Sequence, residues 1–270
     1  MGALQFFKYQ GTGNDFVVID NRNQVFDPAD ELLIHNLCDR RFGIGADGLM
    51  LLEHAEGYDF RMIYFNADGK EGTMCGNGGR CLAAFAHRLG LVVDGYCRFL
   101  AVDGPHEARV VRPDWVELKM IDVPLVRTMK NFYVLNTGSP HVVSFREGLE
   151  ALDVAAEGMP IRWSDDFQPE GTNVNFVEKT ESGLSVATYE RGVEAETLSC
   201  GTGVTAAALC IAVERDLRGA HKVPVWTRGG DLAVKFFRGD DGGMTDIWLC
   251  GPATLVFEGM INTTNFFQHD

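Results

Sequence analysis

The sequence has no long apolar run. Its longest uninterrupted one, Ala206–Val213, falls far short of the ~20 residues that span a bilayer. Nothing in the first twenty residues resembles a signal peptide: Lys8 and Asp15 interrupt them, and no apolar stretch or small-residue cleavage pattern follows. Positive charge is scarce, with 24 Lys+Arg against 38 Asp+Glu and a net charge of −14. A surface that acidic repels phosphate backbones and anionic lipid, which argues against nucleic-acid and membrane partners. The seven cysteines are an odd number, irregularly spaced and without a CxxC pair. That argues against a disulfide framework, a zinc ribbon and a thioredoxin-like site. The expectation is a cytoplasmic protein of a reducing compartment. With 46% hydrophobic and 23% charged residues the chain is neither disordered nor fibrous. Its 270 residues allow one large domain or two small ones.

What is present is an internal repeat. Glu71–Gly78 reads EGTMCGNG and Glu196–Gly203 reads ETLSCGTG, so ExxxCGxG occurs twice with the cysteines 200 − 75 = 125 residues apart. The same offset carries Tyr64 onto Tyr189, and Thr12-Gly13 and Val17-Val18 onto Thr137-Gly138 and Val142-Val143. Three matched segments at one offset indicate a duplication.

The local patterns agree with that. Phe16–Asp20, Phe60–Phe65, His141–Phe145 and Leu184–Tyr189 are short β-branched and aromatic runs, hence strands. Each CGxG is followed by an Ala/Leu-rich stretch, Arg80–Leu89 and Val204–Arg215, apolar over much of its circumference, as expected of a helix enclosed by sheet. Alternating segments follow at Arg98–Met120 and Val223–Leu249. The expected fold is α+β: two pseudo-symmetric domains, each a sheet or barrel wrapped around a central helix. The expected division is residues 1–123, with 253–270 returning to them, and residues 124–252.

Cys75 and Cys200 each stand just before a Gly-rich turn that opens a helix. Amide N–H groups outside the helical ladder and the positive end of the dipole stabilise an anion there, which favours thiolate. The same amides, cleared by Gly76, Gly78, Gly79, Gly201 and Gly203, suit a ligand carboxylate. Inverting a carbon next to a carboxylate requires a base on one face and an acid on the other, and cysteine serves in both forms near neutral pH. Helix ends directed at the carboxylate stabilise its enolate-like charge. The other five cysteines read as small buried hydrophobes.

Taken in order, FKYQGTGNDFVVID, RRFGIGADG, FNADGKEGTMCGNGGRC, GSPH, EGTNVNF and YERGVEAETLSCGTG resemble the signature segments of the diaminopimelate epimerases, from residue 7 to residue 203. The resemblance implies a cofactor-independent isomerase interconverting LL- and meso-2,6-diaminopimelate on the route to lysine and peptidoglycan. It implies a homodimer and no metal. On its motifs Cys75 and Cys200 correspond to the acid/base pair, and Gly76-Asn77 and Gly201-Thr202 to the helix-end groups that hold the reacting carboxylate. Asn14, Asn66, Asn173 and Arg191 correspond to substrate-binding positions, with Arg191 able to pair bidentately with the distal carboxylate. Glu190 and His141 correspond to residues near the thiols that tune protonation or contact substrate. Glu190 and Arg191 are neighbours, so on a regular strand they point to opposite faces. Two positions depart from the pattern: Gly48, where some members carry Gln, and Ser139, where many carry Asn.

Other readings are weaker. Gly43–Gly48 satisfies GxGxxG, but a dinucleotide site needs a strand before it and a helix after. Here Glu31–Arg41 reads as the helix and Leu49–Glu53 as the strand, the reverse order. No segment suggests a Schiff-base lysine for pyridoxal phosphate. The alternative on the same scaffold is a racemase of another amino acid, histidine among them. A non-catalytic amino-acid binder would need neither thiol.

Overall fold

In both halves of the sequence the strands are arranged in the same way around one helix. The structure is a computed structural model and describes residues 2–264. It divides into two units, Met1–Leu118 with Pro252–Asp270, and Lys119–Gly251.

The first unit runs β1 (Ala3–Gly11), β2 (Asn14–Asp20), α1 (Glu31–Cys38), β3 (Gly48–Glu53), β4 (Phe60–Asn66), α2 (Gly76–Arg88), β5 (Tyr96–Ala101), β6 (Gly104–Arg112) and β7 (Trp115–Lys119). β1 pairs antiparallel with β2, β2 parallel with β3, β3 antiparallel with β4, β4 parallel with β5, and β5–β6–β7 continue antiparallel. The late strand β17 (Thr254–Asn262) lies antiparallel on the free side of β1.

The second unit repeats that order. It contains β8 (Arg127–Met129), β9 (Phe132–Asn136), β10 (Pro140–Phe145), α3 (Val154–Arg162), β11 (Asn173–Lys179), β12 (Leu184–Glu190), β13 (Ala195–Thr197), α4 (Gly201–Glu214), β14 (Gly219–Thr227), β15 (Gly230–Arg238) and β16 (Met244–Pro252). β9–β10 is antiparallel, β10–β11 parallel, β11–β12 antiparallel, β12–β14 parallel, and β14–β15–β16 antiparallel. The fold is a duplicated α+β architecture.

Every parallel pair needs a crossover, and a helix fills each one. α1 and α3 cover the outer sheet faces. Val17, Ile19, Leu49, Leu51, Ile63 and Phe65 pack on α1, and Val174, Phe176, Ala187 and Tyr189 on α3. The opposite faces wrap α2 and α4, so the strands read as continuous apolar runs. Both helices are buried nearly all round, α2 from Asn77 to Ala86 and α4 from Gly203 to Ala212. Phe85 of α2 packs tilted against Phe7 and edge-on to Tyr9 of β1, with centroids 4.7 and 6.0 Å away. Gly90, at φ +75°, ends α2 in the left-handed conformation that closes its last turn.

Two sequence expectations need correction. The helix expected over Glu31–Arg41 stops at Cys38, where the Asp39 carboxylate turns to accept from the Arg41 and Phe42 amides. The 125-residue offset that matches Tyr64 with Tyr189 does not hold at those strands. Tyr64 faces α2, whereas Tyr189 lies on the α3 side, against Gly158. Nine positions separate Asn66 from Cys75 (75 − 66) and ten separate Glu190 from Cys200 (200 − 190). One extra residue in the connection slips the register, and a one-residue slip exchanges strand faces.

Candidate active site

In the first unit, the α2-facing residues of four neighbouring strands end at the start of that helix. Gly11, Asn14, Gly48 and Asn66 stand at this end, with Gly11 opposite Asn14 and Gly48 opposite Asn66. Cys75 occupies the N-cap position of α2, with extended backbone (φ −109°, ψ 122°), no side-chain capping bond and no acidic residue in the first turn. A side chain at Gly78 would press on Met50 and Met62, at 3.0 and 3.4 Å, so glycine lets the helix start seat against the sheet. The thiol donates to Asn14 Oδ1 at 3.6 Å, and Asn77 Nδ2 donates to the same oxygen at 3.4 Å. Asn77 is oriented in turn by Arg80, fully buried, whose Nη2 donates to its Oδ1 at 3.0 Å. Asn66 is exposed at the end of β4.

Behind Asn14 lies a charged network that the sequence did not disclose. Asn14 Nδ2 donates to Asp47 Oδ2 at 2.7 Å. Arg40 bridges Asp47 and Asp15, and Lys8, nearly buried, pairs with Asp15 at 2.7 Å and donates to the Gly45 carbonyl. Burial opposes ionisation of Asp15, but Arg40 and Lys8 outweigh it and hold its carboxyl down at about 2.

The second unit builds the corresponding place from different side chains. Cys200 is the N-cap of α4, again extended (φ −110°, ψ 109°) and again without a side-chain cap. Its sulfur lies 3.4 Å from the Thr202 hydroxyl, and Thr137 Oγ1 donates to the Thr202 carbonyl at 2.9 Å. His141, Asn173 and Asn175, together with Thr188 and Glu190, face the start of this helix. Gly203 is required here, since a Cβ would collide with Asn175 Oδ1.

His141 is fully buried. Thr188 donates to Asn175 Oδ1 at 2.9 Å, so the Asn175 amide nitrogen points the other way, to His141 Nδ1 at 3.0 Å and the Val142 carbonyl at 2.9 Å. Nδ1 must then accept, which leaves the ring proton on Nε2, an atom buried without a partner. Burial, reinforced by the Arg191 charge, pushes the imidazole down to about 3, so it is neutral at physiological pH. Burial raises the Glu190 carboxyl from its ordinary value, with the Thr197 hydroxyl, donating to Oε2 at 2.8 Å, opposing.

Asn173 is committed within the protein. Its Nδ2 donates to Ser139 Oγ at 2.6 Å and the Pro140 carbonyl at 3.1 Å, and its Oδ1 accepts from the Arg191 amide at 2.9 Å. Strand alternation does not govern Glu190 and Arg191. β12 ends at Glu190, and Arg191 opens a turn through Gly192 (φ +91°) and Glu194 (φ +58°). The Arg191 guanidinium donates to the Glu170 carbonyl at 3.0 Å. The five remaining cysteines are buried, and burial pushes Cys38, Cys81 and Cys97 up to about 12. Gly43–Gly48 joins the end of α1 to β3, helix first and strand second, without the surroundings a dinucleotide site needs.

The diaminopimelate epimerase family model matches residues 6–123 and 133–256. A diaminopimelate epimerase of Flavobacterium psychrophilum is 48% identical over 259 residues, covering 96% of this chain and 100% of that one. The chain belongs to the diaminopimelate epimerase family. Another diaminopimelate epimerase, from Chlorobaculum tepidum, is 45% identical over 258 residues, covering 93% of this chain and 98% of its own. The fold extends beyond the diaminopimelate epimerases. A Bacillus anthracis phenazine biosynthesis protein of the PhzF family superposes with a TM-score of 0.74 at 13% identity, covering 97% of this chain and 99% of that one. A hydroxyproline epimerase from Agrobacterium vitis, with bound trans-4-hydroxy-L-proline, superposes at 0.67 and 14% identity, covering 97% and 94%.

Gly48 and Ser139, where the expected pattern is broken, each have defined surroundings. Gly48 has no room for a side chain: a Cβ would collide with the Phe65 carbonyl and stand 2.6 Å from the Tyr64 ring. The same ring closes over Gly72, 2.7 Å from its would-be Cβ. The Tyr64 ring thus stands against both glycines and beside Asn66. At the other departure, Ser139 accepts from Asn173 and so fastens β10 to β11.

Proposed function

We propose that this enzyme interconverts LL- and meso-2,6-diaminopimelate by a two-base mechanism in which Cys75 and Cys200 exchange roles as base and acid. The observation that carries the reading is the matched pair of cysteine N-caps. Each thiol belongs to the N-cap residue of an enclosed helix, and neither N-cap side chain makes a capping hydrogen bond to its helix. Amides of the first turns, at Gly76-Asn77 and Gly201-Thr202, are suited to the carboxylate at the reacting carbon. As the α-proton leaves, charge moves onto that carboxylate, and the two helix dipoles favour it. The chemistry asks both thiols to address one stereocentre from opposite faces. It requires no cofactor.

The surrounding groups divide by what they can still offer. His141, neutral and with its proton on Nε2, can donate a hydrogen bond and is a poor acid or base at neutral pH. Asn173 holds the turn that carries Arg191, and Arg191 and Asn66 are suited to a second amino-acid head group. Glu190, raised by burial, stands next to that turn and can meet an ammonium. The homodimer and the cytoplasmic setting implied by the resemblance belong to the same proposal. The test is to incubate the protein with LL-diaminopimelate in heavy water beside a panel of other amino acids, histidine included. Deuterium should enter the α-position of diaminopimelate as meso isomer accumulates. Faster exchange into another amino acid would contradict the substrate assignment.

A further inference from the structure

Asn14 can present either end of its amide to Cys75, and the two ends act oppositely on a thiol. An N–H stabilises thiolate; a carbonyl oxygen accepts from thiol and repels thiolate. We propose that Asp47 is a positioning residue that locks Asn14 with its oxygen toward Cys75, so that this thiol is held ready as the proton donor. The proposal rests on the acid/base assignment of Cys75.

The argument runs along a chain of groups whose polarity is fixed. Arg40 only donates, and it holds Asp47 Oδ1 at 2.7 Å while also gripping both oxygens of Asp15. An ionised Asp47 only accepts, and its Oδ2 takes Asn14 Nδ2 at 2.7 Å. The Asn14 oxygen must then face the other way, where it accepts from Cys75 Sγ at 3.6 Å and Asn77 Nδ2 at 3.4 Å. From the far side Arg80, donating to Asn77 Oδ1, turns the Asn77 amide nitrogen to that same oxygen. Two donor-only arginines thus fix the polarity of both amides. The backbone supports the arrangement, since Asp47 N donates to Asp15 Oδ1 at 3.0 Å and Asp15 N to Asp47 Oδ2 at 3.3 Å.

Asp47→Asn removes the lock at its carboxylate end. Arg40 still demands an oxygen, so the new amide nitrogen opposes Asn14 Nδ2, while Arg80 acting through Asn77 and the Asp15 amide still favour the original orientation. Asn14 is then divided between its two orientations, and in one of them an N–H reaches Cys75. The charged and titratable groups in this region include Lys8, Asp15, Arg40, Asp47, Arg80 and the buried Cys81 thiol, which interacts with Cys75, and the substitution also removes one negative charge. A double-mutant cycle with Asn14→Ala separates the two effects. The measurement is the pH dependence of iodoacetamide alkylation at Cys75, read by peptide mass spectrometry on the full-length protein without substrate. The midpoint is expected to fall by roughly one pH unit in Asp47→Asn. Asp47→Ala, which only frees the amide, should give a smaller move in the same direction, and most of either move should vanish in the Asn14→Ala background. An unmoved midpoint in a folded Asp47→Asn protein would overturn the proposal. So would a shift of equal size with Asn14→Ala, since it would then be through-space charge. Because the readout needs no turnover, failure of the epimerase assignment itself would show separately, as an unmutated protein that does not epimerise.

Discussion

The Asn175 amide donates to Nδ1 of His141 at 3.0 Å and thereby places the ring proton on Nε2. Burial, with the Arg191 charge, keeps that ring neutral at neutral pH. With its pKa lowered from the ordinary value near 6.5 to about 3, the folded protein resists a proton that the unfolded chain accepts. His141 therefore adds full stability above pH 6.5, and the contribution is lost as the pH falls toward 3. Over that window the loss should be of order 1 kcal/mol per pH unit. Denaturant melts of the unmutated protein and His141→Asn should diverge in slope across it. Nitrogen NMR should show an Nε2–H tautomer that does not titrate between pH 5 and 8; a titrating ring would refute the assignment.

Tyr64 links two glycines that the sequence leaves unexplained. The nearest atoms to a Cβ at Gly72 belong to the Tyr64 ring and the Asn66 side chain, whereas the nearest to a Cβ at Gly48 is the Phe65 backbone carbonyl, with the Tyr64 ring next. Gly72→Ala and Gly48→Ala should each cost about 1–3 kcal/mol in the parent chain. In a Tyr64→Ala background the Gly72→Ala cost should largely disappear, while Gly48→Ala stays costly because a backbone atom cannot step aside. Thermal melts of the two cycles check this, and equal relief at both glycines would show the ring is not the shared obstacle.

Glu190 carries a burial cost at neutral pH. Its folded pKa is raised, so the carboxyl is favoured when protonated and stability falls as the pH rises through that value. Glu190→Gln should therefore melt at a higher temperature than the parent at pH 7 while epimerising more slowly. Scanning calorimetry and turnover on the same sample decide it; a variant less stable at pH 7 would contradict the burial argument.

Much of this architecture was legible because the informative residues lie close together in the chain. Cys75 and Cys200 sit inside eight-residue motifs, and the helices after them declare themselves by Ala and Leu without breakers. The α3 helix did not, because Gly158 and Pro160 interrupt it; Gly158 is there because Tyr189 leaves no room for a side chain. The network behind Asn14 was not legible either. Lys8, Asp15, Arg40 and Asp47 converge from β1, β2 and the two sides of the α1–β3 connection, and no spacing rule joins them. Asn175 could have been found, since it lies two residues after Asn173 and strand alternation puts both on one face. Its partner Thr188 could not, because the offset had slipped by one residue in that strand.

The central claim is that inversion takes one thiol from each repeat. The most direct measurement compares Cys75→Ala and Cys200→Ala with the parent chain on LL-diaminopimelate, with product stereochemistry resolved and folding checked by circular dichroism. Each variant should lose at least about 10²-fold in the rate of meso formation, the lower range for removing a positioned acid or base. Parental turnover in either folded variant would contradict the account.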